Sequence, residues 1–460
     1  MSLHNLPESL LKSLEGVPGF DRKKFEQVHS SREAVTAIRY NPLKSAGLNP
    51  DQKYERVPWS SSGYYLPERP FFTFDPLLHA GVYYVQEASS MFLEQALKQT
   101  VSLDQTLKVL DLCASPGGKS TLLQSLINSD SLLVSNDVIR SRANILEENL
   151  TKWGAENVVV TNSDPKDFTR LENFFDVIVV DAPCSGSGLF RRDPEAIDEW
   201  SEQNVALCCQ RQQRILADII PSLKNNGVLI YSTCSYSPDE DEAIVDWLID
   251  EFKLINLPLL LDSDWGIVPS LSPKSRAQGY RFYPDKLKGE GFFLSCFKKT
   301  DGTEQQIRPP RKTMLQKLSK EENNIVLPWI DNDLPLRLWK TGDLVFAMPS
   351  SLTEALLILA DNLYIRKAGV AIGKVAGKDL VPDHSLALSN IISNKTVGIS
   401  LKLQDALQYL RKEEVKTDGS VKGWALVLYE GVKLGWIKVL SNRTNNYYPK
   451  EWRILKSENN

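Results

Sequence analysis

Two cysteines stand where a reactive thiol would be placed. Cys184 lies in Asp181-Ala182-Pro183-Cys184-Ser185-Gly186-Ser187-Gly188, and Cys234 lies in Tyr231-Ser232-Thr233-Cys234-Ser235-Tyr236-Ser237-Pro238. Each directly follows a short apolar run that reads as a buried strand. An isolated cysteine at a strand end is ordinarily a small core hydrophobe. Here Gly, Ser and Pro flank both, which describes exposed turns instead. The chain holds six cysteines, Cys113, Cys184, Cys208, Cys209, Cys234 and Cys296. That is too few for a disulfide framework in 460 residues, and they lack the paired spacing of a zinc site. No metal is expected, and any cysteine with a special role should act as a nucleophilic thiol.

A second group of residues describes a ligand edge. In Asp111-Leu112-Cys113-Ala114-Ser115-Pro116-Gly117-Gly118-Lys119 a glycine turn separates a buried strand from a helix expected over 121–127. Such a turn lets backbone approach a ligand closely. The spacing is neither that of a P-loop nor that of a dinucleotide fingerprint, so a phosphate cradle is disfavoured. Acidic residues follow at successive strand ends: Asp137, Asp164 and Asp181. Any one of them reads as a helix cap or a solvated strand end. Together, with the first placed after the second strand where ribose hydroxyls are bound in such folds, they describe a cofactor site.

The elements that must position these residues form a repeating pattern. Apolar runs at 107–112, 132–136, 158–161, 177–181 and 227–232 alternate with helical stretches, which predicts an α/β, Rossmann-like, doubly wound parallel sheet. Before it, a helix opening at Pro7 and a strand over 34–40 predict a small α+β lead-in. After it, the polar stretch 298–312 with Pro309-Pro310 reads as a linker, so the catalytic unit should end near residue 300. Strands at 345–348, 369–372, 423–429 and 435–439 and a helix at 403–412 predict a mixed appendage. The expected domains are 1–100, 101–300, 301–380 (a small α+β linker domain) and 381–460.

The formal charge of −4 conceals an asymmetry. Residues 1–300 carry 31 Lys and Arg against 40 Asp and Glu, whereas residues 301–460 carry 23 against 18. The basic tail suits a polyanion, although a solvated surface has the same composition. Neither a signal sequence nor an apolar stretch of about 18 residues is evident, so a cytoplasmic location without membrane attachment is expected.

The motifs Asp-x-Cys-Ala-x-Pro-Gly-Gly-Lys, Asp-Ala-Pro-Cys-Ser-Gly and Ser-Thr-Cys-Ser resemble those of the Nol/Nop/Sun family of RNA cytosine-5 methyltransferases. Similar stretches occur at Ile38-Arg39-Tyr40-Asn41, at Tyr84-Val85-Gln86-Glu87-Ala88-Ser89-Ser90-Met91 and at Gly289-Glu290-Gly291-Phe292-Phe293. The resemblance implies S-adenosylmethionine as cofactor and Cys234 as the nucleophile. It makes Cys184 the thiol that assists removal of the carbon-5 proton and product release. It places Asp181 on the cytosine ring near nitrogen 3, Asp137 on the cofactor ribose and Asp164 near adenine. Cys113, Ala114, Ser115, Pro116, Gly117, Gly118 and Lys119 would wrap the methionine end, with Arg142 and Asp181 also counted as cofactor-binding. Two departures are Glu240-Asp241-Glu242, where the family has Glu-Asn-Glu, and Ser115, where it has alanine; neither removes a reacting group.

Arg281-Phe282-Tyr283-Pro284 followed by Gly289-Glu290-Gly291, together with Leu434-Gly435-Trp436-Ile437-Lys438 and Asn446-Tyr447-Tyr448-Pro449-Lys450 in the tail, is similar to the bacterial ribosomal RNA methyltransferase F group. That implies a PUA-like RNA-binding module and small-subunit (16S) ribosomal RNA as substrate. Trp424, Trp436, Tyr447, Tyr448 and Trp452 among Lys433, Lys438, Arg443, Lys450 and Arg453 could stack on bases and meet phosphates. Competing expectations are transfer RNA as substrate, methylation of an exocyclic amine, and a non-catalytic ribosome-assembly protein. The amine reading is weak because the strand end reads Asp-Ala-Pro-Cys rather than Asn/Asp-Pro-Pro-aromatic. A degenerate binding protein would be expected to have lost a cysteine or a cofactor glycine. The chain is expected to act as a monomer.

Overall fold

A computed structural model describes residues 5–31, 33, 35–45, 53–301, 307–310, 313, 315–417 and 420–456. Ala34, expected to begin a strand, and residues 302–306, 311 and 312 of the expected linker lie outside the described residues. The lead-in is a four-stranded antiparallel sheet of β1 (Thr36–Tyr40), β2 (Glu55–Arg56), β3 (Gly63–Leu66) and β4 (Tyr83–Val85), in the order β2-β3-β1-β4.

The central sheet begins with β5 (Lys108–Asp111), β6 (Leu132–Asn136), β7 (Val158–Thr161), β8 (Phe175–Asp181) and β9 (Leu223–Thr233). These pair in parallel, β5 with both β6 and β8, β6 with β7, and β8 with β9. The chain runs outward from β5 to β7, then returns to β8 on the other side of β5. The crevice at such a reversal, beyond the carboxyl ends of the strands, is where this architecture takes ligands. Side chains alternate along each strand. Leu110, Val134 and Ile178 enter one core, whereas Val109, Leu133 and Val177 enter the other. Burial on both faces explains why the strands read as continuous apolar runs.

Antiparallel strands extend the sheet beyond β9: β10 (Ile255–Asn256), β11 (Val268–Leu271), β12 (Gln278–Phe282) and β13 (Phe292–Lys298), with β13 beside β9. The opposite edge is not left open. Of β14 (Leu336–Thr341), β15 (Leu344–Pro349), β16 (Ile365–Ala368), β17 (Val370–Ala376) and β18 (Asp379–Pro382), β16 pairs antiparallel with β7 and the other four form a sheet of their own. The sheet therefore does not end near residue 300: a strand from the segment 301–380, expected as a separate linker domain, completes it. An uncovered β7 would present unpaired backbone along a wholly buried apolar strand, and β16 removes that edge.

The last sheet contains β19 (Gly398–Ser400), β20 (Gly423–Tyr429), β21 (Val432–Val439) and β22 (Thr444–Asn446). Its helix Leu403–Leu410 packs on the lead-in domain, so that Ile38, Tyr64 and Tyr83 share one core with Leu407, Leu410 and Val427. The lead-in sheet and the last sheet thus share one core. No helix among the described residues is long and apolar enough to cross a membrane.

Candidate active site

Strand register brings the two cysteine turns together. Asp181 at the end of β8 lies opposite Ser232 near the end of β9, so the chain leaves both strands at one level. Gly188 then donates its N–H to the Cys234 carbonyl at 2.8 Å, and Gly291 donates to the Gly188 carbonyl at 3.0 Å. A Cβ on Gly188 would lie 2.5 Å from the Gly291 oxygen and 2.7 Å from the Cys234 oxygen, so this close approach requires glycine.

The sulfur atoms of Cys184 and Cys234 are 2.9 Å apart, and both thiols are free. A disulfide would be about 2.05 Å, so this is a thiol contact rather than a bond. Interaction with Cys234, followed by burial, pushes the Cys184 thiol well above its ordinary range. Cys184 therefore holds its proton, beside the Cys234 sulfur.

Asp181 is the third group in the cluster. Its Oδ1 accepts from Ser232 Oγ at 2.8 Å, and its Oδ2 pairs with Lys119 Nζ at 2.8 Å. The carboxylate remains 32% exposed, enough for a ligand to reach it. Burial opposes the charge on Lys119, but Asp181, Asp111 and the Cys234 sulfur outweigh it and hold the ammonium above its usual range. Lys119 Nζ also lies 5.2 Å from the Phe292 ring centre. The residue expected to wrap the cofactor's methionine end thus sits against Asp181 and within the field of Cys234.

The glycine loop fits S-adenosylmethionine on structural grounds. Gly117 has φ +115°, the left-handed region, and caps the helix Gly118–Leu126 without a side-chain bond. The nearest atoms to a Cβ there would be Leu146 Cδ1 at 3.4 Å and Asn149 Cβ at 3.5 Å, so two side chains border the turn at ordinary contact distance. Arg142 braces the loop, with Nη2 donating to the Ser115 carbonyl and Ser115 Oγ donating to the Arg142 carbonyl, both at 2.9 Å. Ala114 is held by Asn136 and Pro116 by Asn149. Asp137 accepts from the Ile139 N–H at 2.9 Å and lies 3.4 Å from Arg142 Nε. Asp164 caps a short helical turn, Pro165–Arg170, in a reciprocal box with Asp167. Asp137 and Asp164 therefore both hold local backbone N–H groups. Burial pushes the Cys113 thiol up, which leaves it inert.

Asp111, below the loop, is fully buried; Oδ2 accepts from Ser120 Oγ at 2.7 Å and Oδ1 has no hydrogen-bond partner. Burial pushes its carboxyl up to about 7, against the Ser120 and Lys119 contributions. A carboxyl raised in the folded state binds its proton there after the unfolded chain has lost it, so its contribution declines as pH rises from about 4 to 7. Asp111→Asn is expected to remove roughly 2–3 kcal/mol of stability loss between pH 5 and 7. Urea unfolding of both proteins at the two pH values checks this, and parallel pH dependences would refute it.

Three family models match in succession: "16S rRNA methyltransferase RsmB/F" over residues 98–298, "N-terminal domain of 16S rRNA methyltransferase RsmF" over 6–88, and "Methyltransferase RsmF PUA domain" over 397–454. The chain carries an RsmB/F methyltransferase domain together with the RsmF N-terminal and PUA domains. Among curated relatives, the ribosomal RNA small subunit methyltransferases F of Vibrio atlanticus and Aeromonas salmonicida are each 28% identical, covering 97% of this chain and 97% of their own. A solved methyltransferase homolog from Pyrococcus horikoshii is 29% identical with a TM-score of 0.50, covering 64% of this chain and all of its own. NSun6 from the same organism, 20% identical with a TM-score of 0.54 over 65% of this chain and all of its own, shares the fold.

The PUA-matched region corrects part of the aromatic expectation. Trp436 and Tyr448 are fully buried, because β21 is covered on both faces, with Trp436 in one core and Ile437 in another, and Tyr448 packs edge-on to Tyr409 and His384. They are core residues and cannot stack on RNA. Trp452 packs beneath Lys152 of the catalytic domain. Trp424 and Tyr447 have ring centres 4.3 Å apart, with Lys438 Nζ 5.2 Å above Trp424; Trp424 is half-buried against Trp436, and Tyr447 is 37% exposed.

Sequence reasoning missed several residues that hold the site. Arg39 is buried and joins Gln86 Oε1 at 2.8 Å to Thr121 Oγ1 at 2.6 Å, fastening the lead-in sheet to the cofactor helix. Glu240, Asp241, Glu242 and Arg281 form a buried polar group beneath the Cys234 turn. The family-like stretches around Arg39, Gln86 and Glu240 were the available signal, but their partners are distant in sequence. A cavity of about 1060 Å³ lies elsewhere, between the helix Arg140–Trp153, β16 and the PUA region, and neither Cys184 nor Cys234 lines it.

Proposed function

We propose that this protein methylates carbon 5 of a cytosine in small-subunit (16S) ribosomal RNA, with S-adenosylmethionine as methyl donor. The observation that carries the reading is the Cys184–Cys234 contact of 2.9 Å beside the Asp181–Lys119 pair at the switch point of the sheet. Carbon 5 of cytosine is a weak nucleophile until a thiolate adds to carbon 6. Cys234 is the thiolate: its sulfur bonds to carbon 6, and the carbon 5–carbon 6 π electrons move toward carbon 5. When bound, the cofactor supplies an electrophilic methyl group for that carbon. Asp181, anchored by Ser232 and Lys119, holds the ring near nitrogen 3 and polarises it for attack.

Cys184 changes role during the cycle. In the free protein its proton is held in place chiefly by Cys234. Once the Cys234 sulfur carries the base as a thioether it is no longer a thiol partner for Cys184, and Cys184 can give up its proton to solvent. It can then help take the carbon-5 proton, after which the carbon 6–sulfur bond breaks and Cys234 is released. The cofactor would lie along Cys113 to Lys119, with Asp137 toward its ribose and Asp164 toward adenine.

A cytosine within a duplex conceals carbon 6, so the target should be unpaired or extruded. The ribosomal substrate is supported by the names of the full-length relatives and by the PUA match. Trp424, Tyr447 and Lys438 are the RNA-stacking candidates in that module. A ribosomal substrate in turn implies a cytoplasmic enzyme, which we take to act as a monomer.

The test uses 16S ribosomal RNA and small subunits carrying tritium at cytosine carbon 5. Methyl transfer accompanied by equal release of tritium to water is expected. Methyl transfer that leaves the tritium in place would instead identify an exocyclic amine as the acceptor, and activity on transfer RNA alone would replace the substrate. Absence of transfer to any RNA would favour an assembly protein.

A further inference from the structure

Glu240 lies fully buried beneath both cysteine turns. Its Oε1 accepts the Ser185 N–H at 2.7 Å and Gln212 Nε2 at 3.4 Å, and its Oε2 accepts Ser185 Oγ at 2.5 Å and Ser235 Oγ at 2.6 Å. Ser185 immediately follows Cys184, and Ser235 immediately follows Cys234. We infer that Glu240 is a positioning residue that clamps the two cysteine turns together and thereby sets the distance between the thiols. The inference rests on the cysteine mechanism above for its catalytic consequence, but its geometric content does not depend on it.

Alternative constraints on the pair are weaker. The turns are also joined by the backbone bond from Gly188 to Cys234, by the Tyr236 N–H donating to Ser187 Oγ at 2.9 Å, and by Ser235 Oγ lying 3.4 Å from both Ser185 Oγ and Ser187 Oγ; of these, only the 3.4 Å Ser185–Ser235 contact links the two residues that follow the thiols. Glu240 is the group that receives donors from both residues following the thiols. The Tyr231 hydroxyl donates to the Glu240 backbone carbonyl at 2.6 Å and to Gln212 Oε1 at 3.0 Å, so the clamp is itself held from the core of β9. Burial pushes the Glu240 carboxyl up, and the serine donors pull it down without cancelling that effect. Size and hydrogen bonding, more than charge, should therefore be what the site needs.

The experiment follows disulfide closure between Cys184 and Cys234 in the full-length protein, using diamide as oxidant. Each thiol loses a hydrogen, the two sulfurs bond, and the azo compound takes up both hydrogens to become the hydrazine. Peptide mass mapping of the Cys184–Cys234 link gives the rate without requiring methyl transfer. Glu240→Ala is expected to slow closure about tenfold or more and to lower kcat by about 100-fold with KM for RNA unchanged, as a displacement of about 1 Å would. Glu240→Gln, which keeps the size and lets both serine hydroxyls turn to accept, should restore both rates to within about fivefold. If Glu240→Ala does not fold, the Ser185→Ala/Ser235→Ala double variant serves in its place. Closure at the wild-type rate in a folded Glu240→Ala or double-serine variant would overturn the clamp. Absence of methyl transfer by the wild type would overturn the proposed function and leave the closure measurement valid.

Discussion

Cys184→Ala is expected to turn the protein into a trap for its own substrate. Incubated with S-adenosylmethionine and 16S ribosomal RNA, the variant should accumulate a protein–RNA adduct that survives denaturant, because bond formation at Cys234 persists while the later steps lose their assisting thiol. Turnover should fall by about 10²–10⁴-fold, the usual contribution of a positioned acid or base. Adding Cys234→Ala should abolish the adduct, and Cys234→Ala alone should lower methyl transfer by at least about 10⁴-fold, the scale reached when a covalent nucleophile is removed. Gel electrophoresis under denaturing conditions and methyl incorporation provide the two readouts. The opposite pattern, with an adduct in Cys234→Ala that requires Cys184, would exchange the roles of the two cysteines.

The second large effect is on stability. Arg281 is 2% exposed, with Nε donating to Glu242 Oε1 at 2.7 Å, Nη1 donating to the Tyr236 carbonyl at 2.9 Å, and Nη2 lying 3.3 Å from Asp241 Oδ2. Arg281→Met should cost about 3–5 kcal/mol, because buried carboxylates lose their countercharge. Asp241, already pushed up by burial, can respond by taking a proton. The variant would then bind more protons when folded than when unfolded, so its deficit should be smaller at pH 5 than at pH 8. Since Asp241 accepts from Thr233 Oγ1 at 2.7 Å, directly before Cys234, the loss should extend to thiol placement. Urea denaturation at both pH values measures the first effect. A pH-independent cost below about 1 kcal/mol would mean that the pair is not mutually stabilising.

The doubly wound sheet was legible because its strands are buried on both faces. The expected runs at 132–136 and 158–161 coincide with β6 and β7, and those at 107–112, 177–181 and 227–232 fall on β5, β8 and β9. In the tail, 423–429 coincides with β20, and 435–439 lies within β21. The reading failed where one residue type served two purposes. Trp436 and Tyr448 belong to a core, Trp424 is half-buried against one and Tyr447 is exposed, although all four stand among lysines and arginines. Composition near an aromatic does not reveal which face of a strand it occupies relative to the rest of the molecule.

The sequence by itself determined the local chemistry: two cysteines in turns at strand ends, a glycine loop opening a helix, and acids at successive strand ends; the exposure expected of the cysteine turns is not found, because Ser185, Ser187, Ser235 and Tyr236 pack inward. Each is encoded within about ten residues, by the change from strand to turn to helix. Tertiary structure alone decided what those groups do to one another. The 2.9 Å thiol contact spans 50 residues, the Glu240 bonds to Ser185 span 55, and the Tyr364 N–H to Ser163 Oγ bond, beside the pairing of β16 with β7, spans 201. Such distances depend on strand order and register, which local propensity does not specify. They also govern charge, since the proton on Cys184 is held by Cys234 and the ammonium of Lys119 by Asp181.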